Sequence, residues 1–343
     1  MQLASPPHTI TRNTVRRVML LVLLALAPAV AVQVVFFGPG LLLQLLLAIS
    51  SALLAEAIAL RCRGKPVAAF LSDGTAVITA VLLAMCLPPL APWWLVVSGA
   101  SFAILFAKHA YGGMGANPFN PAMVGYAVLL VSFPAQLSHW LPPQLGELPG
   151  AQLTLVESFG TILRGEVPVR VDWDAITSPT PLDAVRTGLR TGRTMEEIRA
   201  AANLGALGGP GHDWINLAVL AGGLWLIALR IIGWQIPVAM IAGLSVPAGI
   251  MYAVDPGTYP GPVFHVTAGA SVLGAFFIAT DPISAATSNL GRLIYGAGIG
   301  VATYVIRTWG GYPDGVAFAV LLMNLAVPLI DRHTVPRIYG HAK

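Results

Sequence analysis

The sequence predicts an all-α integral membrane protein of about ten transmembrane helices, arranged as two inverted repeats of five with one long loop between them. Composition, the recurrence of apolar runs and the placement of positive charge predict it. Of 343 residues, 56% are hydrophobic and only 10% charged, with a mean hydropathy of +0.75. A soluble domain carries about 25% charged residues, so most of this surface is built for lipid.

Apolar runs lie near 18–37, 39–60, 75–91, 93–111, 121–139, 214–230, 235–254, 262–280, 290–307 and 315–331. Each approaches the roughly 20 residues that cross a hydrocarbon core, and the shorter ones, interrupted by Gly or Pro, are read as broken helices. The first follows basic residues but lacks a small-residue cleavage site, so it is read as a retained helix. Residues 140–213 form the one long polar segment. The expected organisation is a first membrane repeat (1–139), an extramembrane loop (140–213) and a second membrane repeat with a C-terminal tail (214–343).

The pI near 9.3 does not mark a nucleic-acid binder, because the cations lie between apolar runs rather than on one tail or patch. With the N-terminus inside, Arg12, Arg16, Arg17, Arg61, Arg63, Lys65, Lys108, Arg230, Arg292, Arg332, Arg337 and Lys343 fall on the cytoplasmic side. Arg307 alone falls in a short outer loop, and six arginines sit in the long segment, whose length exempts it from the positive-inside rule. Both termini are therefore expected in the cytoplasm, with 140–213 periplasmic or extracellular.

The halves echo each other. Val124-Gly-Tyr-Ala-Val-Leu-Leu130 matches Val316-Ala-Phe-Ala-Val-Leu-Leu322, and Gly112-Gly113 matches Gly310-Gly311. Gly99-Ala100 and Gly296-Ala297 extend the match. Thr75-Ala76, in a run ending at Pro88-Pro89, pairs more weakly with Thr267-Ala268, in a run ending at Asp281-Pro282. An offset of five spans is odd, so the two halves face opposite ways.

Gly112-Gly-Met-Gly-Ala-Asn-Pro-Phe-Asn-Pro-Ala-Met-Val-Gly125 connects the fourth and fifth runs. Pro118 and Pro121 preclude a regular helix, while Asn117 and Asn120 offer donors and acceptors to unpaired backbone. The segment reads either as a capped helix start or as polar backbone lining a site at membrane depth. Phe277-Ile-Ala-Thr-Asp-Pro-Ile-Ser284 is its apparent counterpart. Among ionisable groups, Glu56 is read as reaching the cytoplasmic interface, Lys108 as a positive-inside anchor, and Asp281 as the cap of a broken helix.

Other chemistry is absent from the sequence. Cys62 and Cys86 form no CxxC pair and are too few for a thiolate-held cluster; they suit a disulfide no better. His109, His139, His212, His265 and His333 show no paired axial arrangement for haem. No Walker loop, dinucleotide fingerprint, zinc spacing or hydrolase triad occurs. No catalytic or metal-ligating residue is assigned.

The stretches 112–125 and 277–287, with Gly291-Arg-Leu-Ile-Tyr-Gly296, Arg307-Thr-Trp-Gly-Gly-Tyr-Pro-Asp-Gly315, Val327-Pro-Leu-Ile-Asp331 and Pro336-Arg-Ile-Tyr-Gly-His341, resemble the RnfD component of Rnf-type ion-translocating electron-transport complexes. RnfD proteins are relatives of the NqrB component of the sodium-pumping NADH:quinone oxidoreductase. The resemblance spans nearly all the membrane portion.

It implies a subunit, not catalytic alone, of an inner-membrane translocase that couples electron transfer between ferredoxin and NAD(H) to Na+ or H+ movement. The implied partners are the other components of that complex (A, B, C, E and G), and a flavin transferase that attaches FMN to a threonine in the outer loop. Asp174-Ala-Ile-Thr-Ser-Pro-Thr-Pro-Leu-Asp183 matches the attachment pattern, which makes Thr180 the implied acceptor and Thr177 the runner-up. Pro179 stands where the family usually has Ala, and Ala175 where Gly is common. A second, noncovalent riboflavin is also implied, with Asn117, Asn120 and Asp281 as candidate contacts. Outside the resemblance, an inverted-repeat solute channel or transporter remains the alternative, and a scaffold without flavin a third.

Overall fold

Helix α1 (Val15–Phe37) begins where the Thr14 hydroxyl accepts the Arg17 amide at 3.3 Å, and stops at Gly38. Helix α2 (Gly40–Cys62) follows after two residues. The computed structural model describes residues 14–143, 153–166, 168, 177–202, 204 and 208–335. Arg12, Asp174, Ala175, the block 336–341 and Lys343 lie outside the described residues.

After a short α3 (Val67–Leu71), helix α4 (Thr75–Met85) has only 11 residues. At 1.5 Å per residue it is about 16 Å long, half a bilayer. It ends before Pro88 and Pro89, whose missing N–H groups cannot continue the ladder. Helix α5 (Trp93–Phe102) follows and widens into π-helical turns over Ala103–His109. Pro121 opens α6 (Pro121–Ser132), which gives way to the single turn α7 (Pro134–Leu137). The runs expected to span 75–91 and 121–139 are therefore half-length helices.

The second half holds α11 (His212–Ala228), α12 (Gln235–Val254), α13 (Pro262–Thr267), α14 (Ser271–Leu273), α15 (Asn289–Trp309) and α16 (Val316–His333). The run 262–280 is broken at Ala268–Ala270, and α14 passes into π-helical turns over Gly274–Ile278. Among the described residues, α1, α2, α12 and α16 are long and apolar enough to cross a membrane, and α4, α5, α6 and α11 are shorter apolar helices.

Segment 140–213 is more than a polar loop. It carries α8 (Leu155–Arg164), α9 (Pro181–Arg190) and α10 (Met195–Ala202). Leu182, Val185, Met195 and Ile198 form a small core with Phe264 and Ala268, and the Met195 amide donates to the Gly257 carbonyl at 2.9 Å. The α9–α10 pair is thus bolted to the start of the broken helix.

One core runs through both halves, joining Ala25, Leu83, Ile104 and Met123 to Phe277, Tyr295 and Val320. Helix α1 packs along α11 and α6 on α16, whereas α2 packs on α4 and α5, and α12 on α13 and α15. The α12–α15 crossing is close because small residues face each other: a Cβ on Gly300 would strike the Met240 carbonyl, and one on Gly243 the Ala297 carbonyl. Gly300→Ala is expected to force these helices apart at a cost of about 1–3 kcal/mol, read as a lowered Tm of the purified chain in detergent.

Candidate functional site

Broken helices leave backbone groups without intrahelical partners, and in lipid each such group costs several kcal/mol. Asn120 resolves this where the halves meet. Its Oδ1 accepts the Met123 amide at 3.2 Å, capping α6, and its Nδ2 donates to the Ile278 carbonyl at 3.1 Å, at the end of the opposing π-helical turns. Its own amide donates to Oδ1 of Asn324 at 3.1 Å. The Asn324 Nδ2 in turn donates to the Ser284 carbonyl at 3.0 Å and the Tyr295 hydroxyl at 2.7 Å. Sequence reasoning missed Asn324, although a carboxamide inside an apolar span is a signal.

The break at 268–270 is sewn in the same way. Arg307 donates to the carbonyls of His265 at 2.6 Å and Ala268 at 3.2 Å, and pairs with Asp314 at 2.9 Å. Asp314 Oδ2 accepts the Ala270 amide at 2.7 Å, and Asn216 donates to the Thr267 carbonyl. Gly269 has φ 64°, and a Cβ there would meet Asp314 and the Leu182 side chain at 2.5 Å, so glycine alone fits. Arg307, expected in an outer loop, lies instead in the last turn of α15, buried, because the broken helix needs donors there.

Lys108 and Glu56 also differ from expectation. Both are buried, Lys108 in the π-helical turns after α5 and Glu56 in α2. Lys108 Nζ donates to Glu56 Oε1 at 2.6 Å and to Thr75 Oγ1 at 2.7 Å, where α4 begins. Nε2 of His109 lies 3.5 Å from the same carboxylate oxygen. Pairing inside the protein replaces the expected interfacial solvation of both charges, since a lone buried ion would be far costlier.

Two cavities flank the central crossing. One, of about 320 Å³, is walled by Thr180, Phe37, Tyr126, Trp140, Tyr312 and Asp314 and reaches Met85, Cys86 and Ile278, where the half-helices end. The other, of about 370 Å³, opens beside the start of α4 and is lined by Thr75, Lys108, Asn117, Asn120, Thr280 and Asp281 among apolar side chains. Asn117 donates to the Phe119 carbonyl at 3.1 Å. Asp281 accepts the Ser284 hydroxyl at 2.8 Å and the Ile283 amide at 3.3 Å, which makes it a cap for the turn after the π-helical segment.

Thr180 is half-buried and is the N-cap of α9. Its hydroxyl accepts the Asp183 amide at 3.2 Å and donates to Asp183 Oδ2 at 2.7 Å. A groove of about 740 Å³ on its other side is lined by Trp140, Pro179, Arg193 and His212, so Thr180 stands between two spaces. Thr177 lines neither of them. The structure thus gathers Asn117, Asn120 and Asp281 at one cavity and Thr180 at the other.

The aromatic and apolar walls of the Thr180 cavity suit a planar ring system. The chemistry of the second cavity, hydroxyl, carboxamide, carboxylate and ammonium groups around an apolar box, suits an uncharged polar heterocycle.

The model of the NQR2, RnfD, RnfE family matches residues 2–340. A protein of Escherichia fergusonii, named as the D component of an ion-translocating oxidoreductase complex, is 50% identical, over 100% of this chain and 99% of its own length. Proteins of the same name from Escherichia coli O7:K1 and Aliivibrio salmonicida are 49% and 48% identical, over 100% and 99% of this chain and 99% of their own lengths.

Lys108→Met is expected to cost about 3–5 kcal/mol because it strands the Glu56 carboxylate, while Glu56→Leu with Lys108→Met recovers most of that loss. Thermal unfolding of the two variants in detergent reads the difference. Asn324→Ala, which leaves the Asn120 amide and the Ser284 carbonyl unpaired, is expected to cost about 1–3 kcal/mol in the same assay.

Proposed function

The chain belongs to the NQR2, RnfD, RnfE family, and from that premise we propose that it is a membrane electron-transfer subunit of an ion-translocating oxidoreductase complex, carrying FMN esterified to Thr180. The carrying observation is the position of that residue, in the wall of a cavity that also reaches Met85 and Ile278, where the half-helices end. Bound there, the flavin supplies one- and two-electron redox chemistry. Phe37, Tyr126, Trp140 and Tyr312 line the space for its ring. A covalent tether keeps the local concentration high, where a dissociable flavin would be diluted away.

The cavity around Asn117, Asn120, Lys108 and Asp281 is the proposed seat of a noncovalent riboflavin. The two halves are proposed to be inverted repeats. In support, α1 pairs with α11 and α6 with α16, and α4 and α13–α14 advance toward each other from opposite ends. Each repeat then contributes one half-helix to each cavity. In the proposed bacterial inner-membrane topology both termini are cytoplasmic and 140–213 is periplasmic. The assembled complex, with its A, B, C, E and G components, couples electron flow between ferredoxin and NAD(H) to Na+ or H+ movement. A flavin transferase supplies the FMN.

Intact-mass analysis of the chain purified from its membrane is expected to show one added FMN, absent from Thr180→Ala and retained by Thr177→Ala. An unmodified wild-type chain would return the reading to a carrier without covalent flavin. Alkaline phosphatase fused within 140–213 is expected to be active, as only an exported reporter is.

A further inference from the structure

Helix α8 divides into three faces. Successive helical residues turn by about 100°, so Leu155, Val156, Phe159 and Leu163 fall within an arc of about 100°, and all four are exposed, Val156 at 79%. Ser158, Thr161 and Ile162 form a second, buried face. Glu157 and Arg164 share the third, with Arg164 open to solvent. A capping box joining Thr154 and Glu157 fixes the helix start. A water-facing helix has no use for the first of these faces.

What covers it follows from where the helix sits. Ile162 clusters with Phe37, Leu90 and Leu141 and with the partly buried Leu43 and Leu47. Leu43 and Leu47 belong to the first two turns of α2, within about 10 Å of its start at 1.5 Å per residue. Beside them on α2, Leu42 and Leu46 are exposed on a helix long enough to span the bilayer. The buried face of α8 thus rests on the first turns of a spanning helix whose adjoining residues are exposed, which sets the exposed stripe at the depth where amphipathic helices lie, about 5–10 Å into the headgroup boundary. The exposed rings of Trp93, Trp214 and Trp309 stand at this same end, as aromatic side chains do at a membrane surface.

We propose that α8 is an interfacial membrane helix, laying Leu155, Val156, Phe159 and Leu163 among the acyl chains of the leaflet on the Thr180 side. It anchors the chain leaving α7 in the lipid surface before that chain reaches Thr180.

Nitroxide labels on the full chain test this, attached to Val156→Cys, Leu163→Cys or Arg164→Cys in a Cys62→Ser, Cys86→Ser background. In vesicles of phosphatidylethanolamine and phosphatidylglycerol, collisions with oxygen are expected to exceed those with a water-soluble nickel chelate at 156 and 163, with the order reversed at 164. Nickel-dominated collisions at 156 would place the stripe in water, and low collision rates with both would place it under protein; either overturns the proposal. In the assembled complex, a photoreactive benzoylphenylalanine replacing Val156 is expected to form lipid adducts. A cross-link to another protein of the complex would instead make the face a protein interface.

Discussion

The architecture depends on one constraint: helices that stop inside the membrane must have their free backbone groups paired by side chains. Asn120 and Asn324 meet that constraint at the centre, where one carboxamide caps α6 and also holds the carbonyl end of the opposing π-helical turns. Because both carboxamides are buried, water does not compete for these bonds and each is worth more than it would be at a surface. The clasp therefore also fixes how the two halves face each other, since Asn120 comes from the first half and Ile278, Ser284 and Asn324 from the second.

The buried charges serve the same end. Lys108 with Glu56 reaches the start of α4, and Arg307 with Asp314 reaches the break before α14. Lys108 sits in the π-helical turns after α5 and Arg307 in the last turn of α15, and each touches the half-helix of its own half. Each is neutralised by a carboxylate, so charge is buried in the protein without an uncompensated ion. The two cavities lie beside these pairs, one with Lys108 in its wall and the other with Asp314. The polar atoms that hold the broken helices thus also give the cavities their recognition chemistry, which is why the proposed flavin sites lie where the helices fail.

Segment 140–213 shows how a polar region is held in register with such a core. Helices α9 and α10 fasten to Phe264 and Ala268, α8 to the start of α2, and Arg186 reaches the Gly310 carbonyl at 3.0 Å. Thr180 is consequently tied to the broken helix through its own cap, since Leu182 of α9 abuts the space at Gly269.

Much of this was legible in the residues. Apolar runs located the membrane helices, Pro88-Pro89 and Asn117-Pro-Phe-Asn-Pro121 marked two of the interruptions, and motif resemblance pointed to the family. These are local properties: hydropathy, missing N–H groups and short signatures do not depend on what lies across the molecule. The partners of Glu56, Lys108, Arg307 and Asn324 were not legible, because each comes from another stretch of chain: Asp314 lies 7 residues from Arg307, Glu56 lies 52 from Lys108 and Asn120 lies 204 from Asn324. Composition alone determined that this chain lives in lipid. Only the tertiary structure decided which of its polar groups face one another there, because in a low-dielectric interior a group's role is set by its neighbour in space.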